Sequence, residues 1–181
     1  MLTIPGIRPH VRMHSHVLMQ PLVAPRGGIM LHYDDSSSDQ GALEWFHDPR
    51  CTNGYTWLVL DDGRVVELAD PGMRTPHAGP CLVPNANSRF YGIAAATNGS
   101  EPATERQLHS ITRLCTALAA HHGWASPLIV GHDEQAVWTA LYTTRPALWG
   151  TLGRKVDPTG QRRDGSKVID LADIRRRVSL P

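Results

Sequence analysis

Apolar residues follow two different spacings along this chain. In "GIMLHY" (Gly28 to Tyr33), "YTWLVL" (Tyr55 to Leu60), "VVEL" (Val65 to Leu68), "FYGIAAA" (Phe90 to Ala96) and "PLIVGH" (Pro127 to His132) they form short, nearly unbroken runs. Such runs, bounded by polar or Gly/Pro clusters, predict buried strands. Between Thr104 and Gly123 the apolar positions Leu108, Ile111, Cys115 and Leu118 recur at helical spacing. Thr104 is placed to cap that helix and Gly123 to end it. A shorter helix is predicted through "QGALEWFH", capped by Asp39 and stopped by Pro49, and a last amphipathic one from Lys167 to Val178. Asp62-Gly63 joins the second and third runs as a hairpin turn. The order of strands and helices predicts an α/β fold, a central mixed β-sheet flanked by helices, in a single domain. Residues 1–27, rich in Pro and His without clear periodicity, are expected to form an irregular arm over a domain spanning residues 28–181.

Length and composition narrow the function classes. A chain of 181 residues holds one domain with a full core. The formal net charge of +1 argues against a nucleic-acid binder steered by a broad basic field, and Arg175 to Arg177 read as the solvated face of the terminal helix. Cys51, Cys81 and Cys115 are odd in number and widely spaced, which suggests neither a disulfide framework nor a thiolate zinc knuckle. The N-terminal residues lack a basic region followed by an apolar run, and no segment approaches the roughly 18 apolar residues of a membrane span. A soluble chain without a secretory leader is expected. Ten histidines invite a search for metal ligands.

His32 and His132 each end a short apolar run and are followed at once by polar or acidic residues. Side chains at the ends of neighbouring strands converge, and imidazole is the commonest zinc ligand. Taken singly, such a histidine is more often a satisfied polar residue near a core edge. Asp157, in "GRKVDPTG" (Gly153 to Gly160), offers a carboxylate on a turn that Pro158 keeps from becoming helix. Two histidines and one carboxylate are a catalytic rather than a structural zinc set. Lys155 stands two residues before that carboxylate, although a solvated surface turn would carry the same residues.

The ordered string resembles the zinc-dependent N-acetylmuramoyl-L-alanine amidases of the type 2 amidase and peptidoglycan-recognition-protein superfamily, from about Gly28 to Gly160. The resemblance rests on "IMLHYD", the Trp-bearing "ALEWFHDPR", "GYTWLVLDDGRVVEL", "TPHAGP", "NSRFYGIAAATN", the long helix followed by "GH", and "KVDP". It implies that His32, His132 and Asp157 hold one zinc ion, that Lys155 and Tyr55 are catalytic, and that His77, Trp57 and Asn87 meet the substrate. It implies hydrolysis of the bond between the lactyl group of N-acetylmuramic acid and L-alanine, as in a bacteriolytic endolysin. A module that binds muropeptide without cutting it, a cytosolic muropeptide-recycling amidase, and an unrelated metal hydrolase are the alternatives. The expected partner is peptidoglycan or muropeptide, with no nucleic acid, no membrane span and a monomeric state. The expected setting is the cell wall, reached after holin release, from a virion or as an injected effector.

The sequence departs from the family pattern in places. Ala94 stands where some members carry a glutamate base, which leaves proton transfer to Tyr55, His77 or the metal hydroxide. Asp133 and Glu134 could substitute but read as surface residues. Tyr33 follows His32 where a second histidine is common, and Thr56 follows the site tyrosine. A long interval after His132, Ala136 to Leu152, is expected to form a loop over the cleft, with Trp138, Tyr142 and Trp149 available for stacking.

Overall fold

The computed structural model describes residues 4–7, 9–12, 15–135, 157–158 and 167–178. Its strands are β1 (Val11–Arg12), β2 (Gly28–Tyr33), β3 (Trp57–Val59), β4 (Val65–Glu67), β5 (Phe90–Ala95) and β6 (Leu128–Gly131). Its helices are α1 (Asp39–His47), α2 (Ala86–Arg89), α3 (Glu105–His122), α4 (His132–Gln135) and α5 (Leu171–Arg177). The strands form one mixed sheet in the order β1-β4-β3-β5-β2-β6. Among the described strands of the sheet only the β3–β4 pairing is antiparallel, and Gly63 (φ +84°) makes its turn.

Helices cover both faces, which is why the central strands read as continuous apolar runs. Strand alternation divides the side chains between two layers. Ile29, Leu31, Trp57, Val59, Tyr91 and Ile93 point to one face and pack with Ile111, Leu114, Cys115 and Leu118 of α3 and with Leu171 and Ile174 of α5. Leu58, Val66 and Ala94 point to the other, against Ala42 and Phe46 of α1. Met30 and Val130 pack there with Ala86 of α2. His32, two residues beyond Met30 on the same strand, belongs to this second face.

The helix termini follow the expected chemistry with one change. Thr104 and Gln107 form a reciprocal capping box on α3, and Gly123 ends it in the left-handed conformation (φ +64°). On α1 the cap is Ser38, whose hydroxyl accepts from the N–H of Gly41, and Asp39 is the first helical residue. A serine one position upstream fits the cap geometry equally well, and Asp39 then complements the helix dipole. The strand expected to run to His132 stops at Gly131, because Glu134 turns back to accept the Gly131 N–H at 3.0 Å and His132 opens the one-turn α4. Near the N-terminus, Ile4 and Ile7 are buried in the core, and Val11–Arg12 pairs with β4 as an edge strand, so part of the stretch expected to be irregular is regular. The Arg175–Arg177 cluster is paired with acids: Arg175 with Glu134, Arg176 with Asp173, and Arg177 with Glu105 and Asp173. No described helix is long and apolar enough to cross a membrane.

Candidate metal centre

The ends of β2 and β6 are adjacent, because β6 pairs with β2 in parallel from Gly28↔Leu128 to Leu31↔Gly131. His32 follows Leu31 and His132 follows Gly131, so the next residue on each side of the last pair is a histidine, and the two rings come within 4.8 Å, centroid to centroid. Asp157 reaches them from far along the chain. The main-chain N–H of Tyr33 donates to Asp157 Oδ1 at 2.6 Å, and that of Asp133 donates to its backbone oxygen at 2.6 Å. The residue after each histidine therefore grips Asp157. Oδ2 is left facing His32 Nδ1 at 2.9 Å and His132 Nδ1 at 3.2 Å. All three side chains are buried.

Hydrogen-bond bookkeeping fixes the tautomers. His132 Nε2 lies 2.7 Å from the carbonyl oxygen of Ala78, and His77 Nε2 lies 3.2 Å from that of Phe90. A carbonyl only accepts, so both Nε2 atoms carry the proton. Burial, followed by the neighbouring His32, holds the His77 pKa well below its ordinary 6.5, so the ring is neutral and its Nδ1 is an acceptor. His77 Nδ1 sits 3.1 Å from His32 Nε2, which must donate. Held as metal ligands, neutral His32 and His132 would present their Nδ1 lone pairs alongside the carboxylate oxygen they already face. Donor atoms of a tetrahedral zinc, at bonds of about 2.0 to 2.1 Å, lie about 3.3 Å apart. The observed 2.9 and 3.2 Å are close to that spacing. The donor set, two imidazoles and one carboxylate, fits a divalent metal, and each imidazole proton is anchored by an outer partner.

His77 itself is seated by the sheet. Its ring lies over Gly92, where a Cβ would come within 2.8 Å of His77 Cγ. Its main-chain N–H, with that of Ala78, donates to Asn87 Oδ1 at 3.0 and 2.8 Å. Arg26 fastens the same region from behind, donating to the carbonyls of Phe90 and Met73 while its guanidinium lies 4.1 Å over the Tyr91 ring. Tyr55 packs against His32 from the opposite side, with centroids 4.8 Å apart, and its hydroxyl donates to the Tyr33 carbonyl at 3.4 Å. Burial, then the charge of Asp157, pushes the Tyr55 pKa well above 10, so this group is a phenol.

Beside these residues runs a cleft of about 390 Å³, lined by Tyr55, His77, Asn87, Asp34, Trp45 and Asn53 among others. Tyr55, His77 and Asn87 thus meet at one place, next to the three metal-site side chains. Trp57 does not join them. It is fully buried on the far face of the sheet, against Tyr91 and the α3 layer, where no substrate reaches it. Tyr55 precedes β3 and escapes its alternation, whereas Trp57 is bound by it. Asp133 is buried rather than superficial, and exposed Glu134 holds Arg175 of α5. Lys155, Trp138, Tyr142, Trp149 and the rest of 136–152 lie outside the described residues. Asp34 was not singled out in the sequence, and Trp45 entered only as the tryptophan of "ALEWFHDPR", with no role assigned to it. The available signal for Trp45 was its place on α1 beside, not within, the buried stripe of Ala42 and Phe46.

No curated protein matches this chain by sequence. Among solved structures it is similar to a selenomethionine AmpD derivative (18% identity, TM-score 0.66, covering 99% of this chain and 100% of that one). It is also similar to the endolysin N-acetylmuramoyl-L-alanine amidase LysCS from Clostridium intestinale URNW (14%, TM-score 0.59, 96% and 97%). A third likeness is to peptidoglycan recognition protein-LE in complex with tracheal cytotoxin, a monomeric diaminopimelic acid-type peptidoglycan (18%, TM-score 0.51, 70% and 79%). At these identities the likeness is one of fold. The model of the Amidase_2 family, N-acetylmuramoyl-L-alanine amidase, matches residues 24–160, a span that contains His32, His132 and Asp157, and the chain belongs to this family.

Proposed function

We propose that the protein is a zinc-dependent peptidoglycan amidase that hydrolyses the amide between the lactyl group of N-acetylmuramic acid and L-alanine. The observation that carries this reading is the convergence of His32 Nδ1, His132 Nδ1 and Asp157 Oδ2 behind Tyr55 and His77, which touch His32 and line a cleft. These three residues would hold the ion. Zinc in such a setting acts as a Lewis acid toward a carbonyl oxygen and makes water acidic enough to ionise near pH 7. In the reaction, water adds to the lactyl carbonyl carbon, the C–N bond breaks, and the alanine nitrogen leaves with a proton. Tyr55, a phenol beside His32, is suited to donate a hydrogen bond to the carbonyl or to the attacking water when it releases its long 3.4 Å bond to the Tyr33 carbonyl. His77 has both ring nitrogens engaged, with Phe90 and His32, and serves as a support rather than a proton shuttle. The role proposed for Lys155 is to supply positive charge to the tetrahedral oxyanion.

Zinc analysis of the purified protein, with release of alanine amino groups from cell walls, tests this reading. A metal-loaded protein that leaves walls and soluble muropeptides uncut would defeat it. One observation favours the second reading, a recognition protein that binds without cutting. Ala94, which pairs with His32 across β2 and β5, is buried and brings no carboxylate to the place where some relatives carry a base. Tight muropeptide binding with no product would establish that reading. Activity on intact walls compared with activity on soluble muropeptides distinguishes a wall lysin, the setting we favour, from a recycling enzyme.

A further inference from the structure

The cleft has an end that the metal site does not explain. Trp45 lies on α1 with 48% of its surface exposed, one of the few large apolar side chains left open among the described residues. It lines the cleft with Asn53 and Tyr55, while its neighbour Phe46 is buried beneath it at 3% exposure. Phe46 already supplies the apolar anchor of α1, together with Ala42. Trp45 therefore contributes little to the core and presents an aromatic surface to whatever enters.

The lining says what kind of group this is. None of the described residues around the cleft is lysine or arginine. The single carboxylate, Asp34, is spent on its own loop: it accepts from the N–H and hydroxyl of Ser36 and from the N–H of Thr97. The polar groups that remain are amides and a phenol, from Asn53, Asn87 and Tyr55. Asn87 uses Oδ1 to hold the main chain at His77 and Ala78, so its amide nitrogen is the part available to a ligand. A surface of one aromatic face with neutral amides suits a neutral pyranose, whose C–H face lies on an aromatic ring while its hydroxyl and acetamido groups hydrogen-bond.

We propose that Trp45 is the platform on which an N-acetylated sugar ring of the substrate lies. This assignment rests on the peptidoglycan reading of the site and adds the side chain that receives the sugar. Trp45 is then a substrate-binding residue that acts in binding and not in the proton chemistry.

The test uses the zinc-loaded full chain as wild type, Trp45→Ala and Trp45→Phe, with far-UV circular dichroism and melting to verify that each folds. Calorimetric titration is made with two probes: the peptide-free disaccharide of N-acetylglucosamine and N-acetylmuramic acid, and a sugar-free D-lactoyl stem peptide. Trp45→Ala should bind the disaccharide about tenfold more weakly, with most of the affinity restored in Trp45→Phe and the peptide bound equally by all three. Disaccharide affinity that is unmeasurable in wild type, or indifferent to residue 45, overturns the proposal, as does a loss confined to the peptide. Alanine release from walls is measured alongside. A wild type that binds disaccharide through Trp45 yet cuts nothing defeats the amidase reading and sustains this one. Cutting with Trp45-independent sugar binding does the reverse.

Discussion

The rings of His77 and His32 meet at 3.1 Å, Nδ1 to Nε2, in a chain that begins at the Phe90 carbonyl and ends at Asp157. His77 thereby fixes which nitrogen of His32 is turned to the metal position. His77→Ala keeps all three proposed ligands but removes that constraint, and zinc affinity should fall about 10- to 100-fold. Competition with a chromophoric chelator measures it, and unchanged affinity would show that His32 is oriented without His77.

Asp157 and Lys155 share one turn of the sequence but are assigned different tasks. Asp157→Ala should lose zinc outright. Lys155→Ala should retain zinc and lose turnover by about a hundredfold to a thousandfold, the usual cost of removing one oxyanion donor. Metal content by atomic absorption, read beside amidase rate, separates the two; equal loss of metal would end the division of labour.

Gly92 makes room for His77. The Cβ of Gly92→Ala would sit 2.8 Å from His77 Cγ and 3.1 Å from both Cδ2 and Nδ1, so the ring must move off the sheet. A cost of about 1–3 kcal/mol is expected in chemical denaturation, with weaker zinc binding in the same variant. Retention of full zinc affinity would show that His77 can shift without disturbing His32.

Trp57 should behave as a core residue. It is fully buried, and its indole nitrogen has no described hydrogen-bond partner, so Trp57→Phe loses volume and no polar contact. Stability should fall by about 1–2 kcal/mol while KM for cell walls stays unchanged. A raised KM in the folded variant would return Trp57 to the substrate site.

Cys115, fully buried on α3, has its thiol pushed up to about 12 from an ordinary 9.0 by burial. In the unfolded chain the thiol ionises as pH passes about 9, whereas in the folded protein it stays neutral. The associated stability is fully present below pH 9 and is lost as pH rises toward 12, by up to about 1.4 kcal/mol per unit. Denaturation of wild type and Cys115→Ala between pH 8 and 11 should show the steeper decline in wild type.

Much of this architecture could be read from local pattern. The β2 run, the Thr104 cap and the Gly123 stop of α3 are local statements, decided by side-chain spacing and backbone preference, and they hold at the residues the pattern named. The pair His32 and His132 was legible for the same reason: each ends an apolar run, and parallel strands bring such ends together. The cap of α1 was displaced by one residue, because Ser38 and Asp39 offer the same chemistry and only the backbone angles choose between them.

What the sequence by itself determined is the set of elements, their apolar faces and the residue types able to bind a metal. Tertiary structure decided which face of the sheet each side chain occupies and which distant groups it meets. Trp57 and Tyr55 are two residues apart, yet strand alternation buries one while the other, lying before the strand, reaches His32. The tautomers of His32 and His132 depend on the carbonyls of Phe90 and Ala78, reached through His77 in one case and directly in the other. Asp157 is held within reach by the N–H groups of Tyr33 and Asp133, which bond to it. Hydrogen bonds between groups far apart along the chain leave no periodic trace in it, and so only the folded protein reveals them.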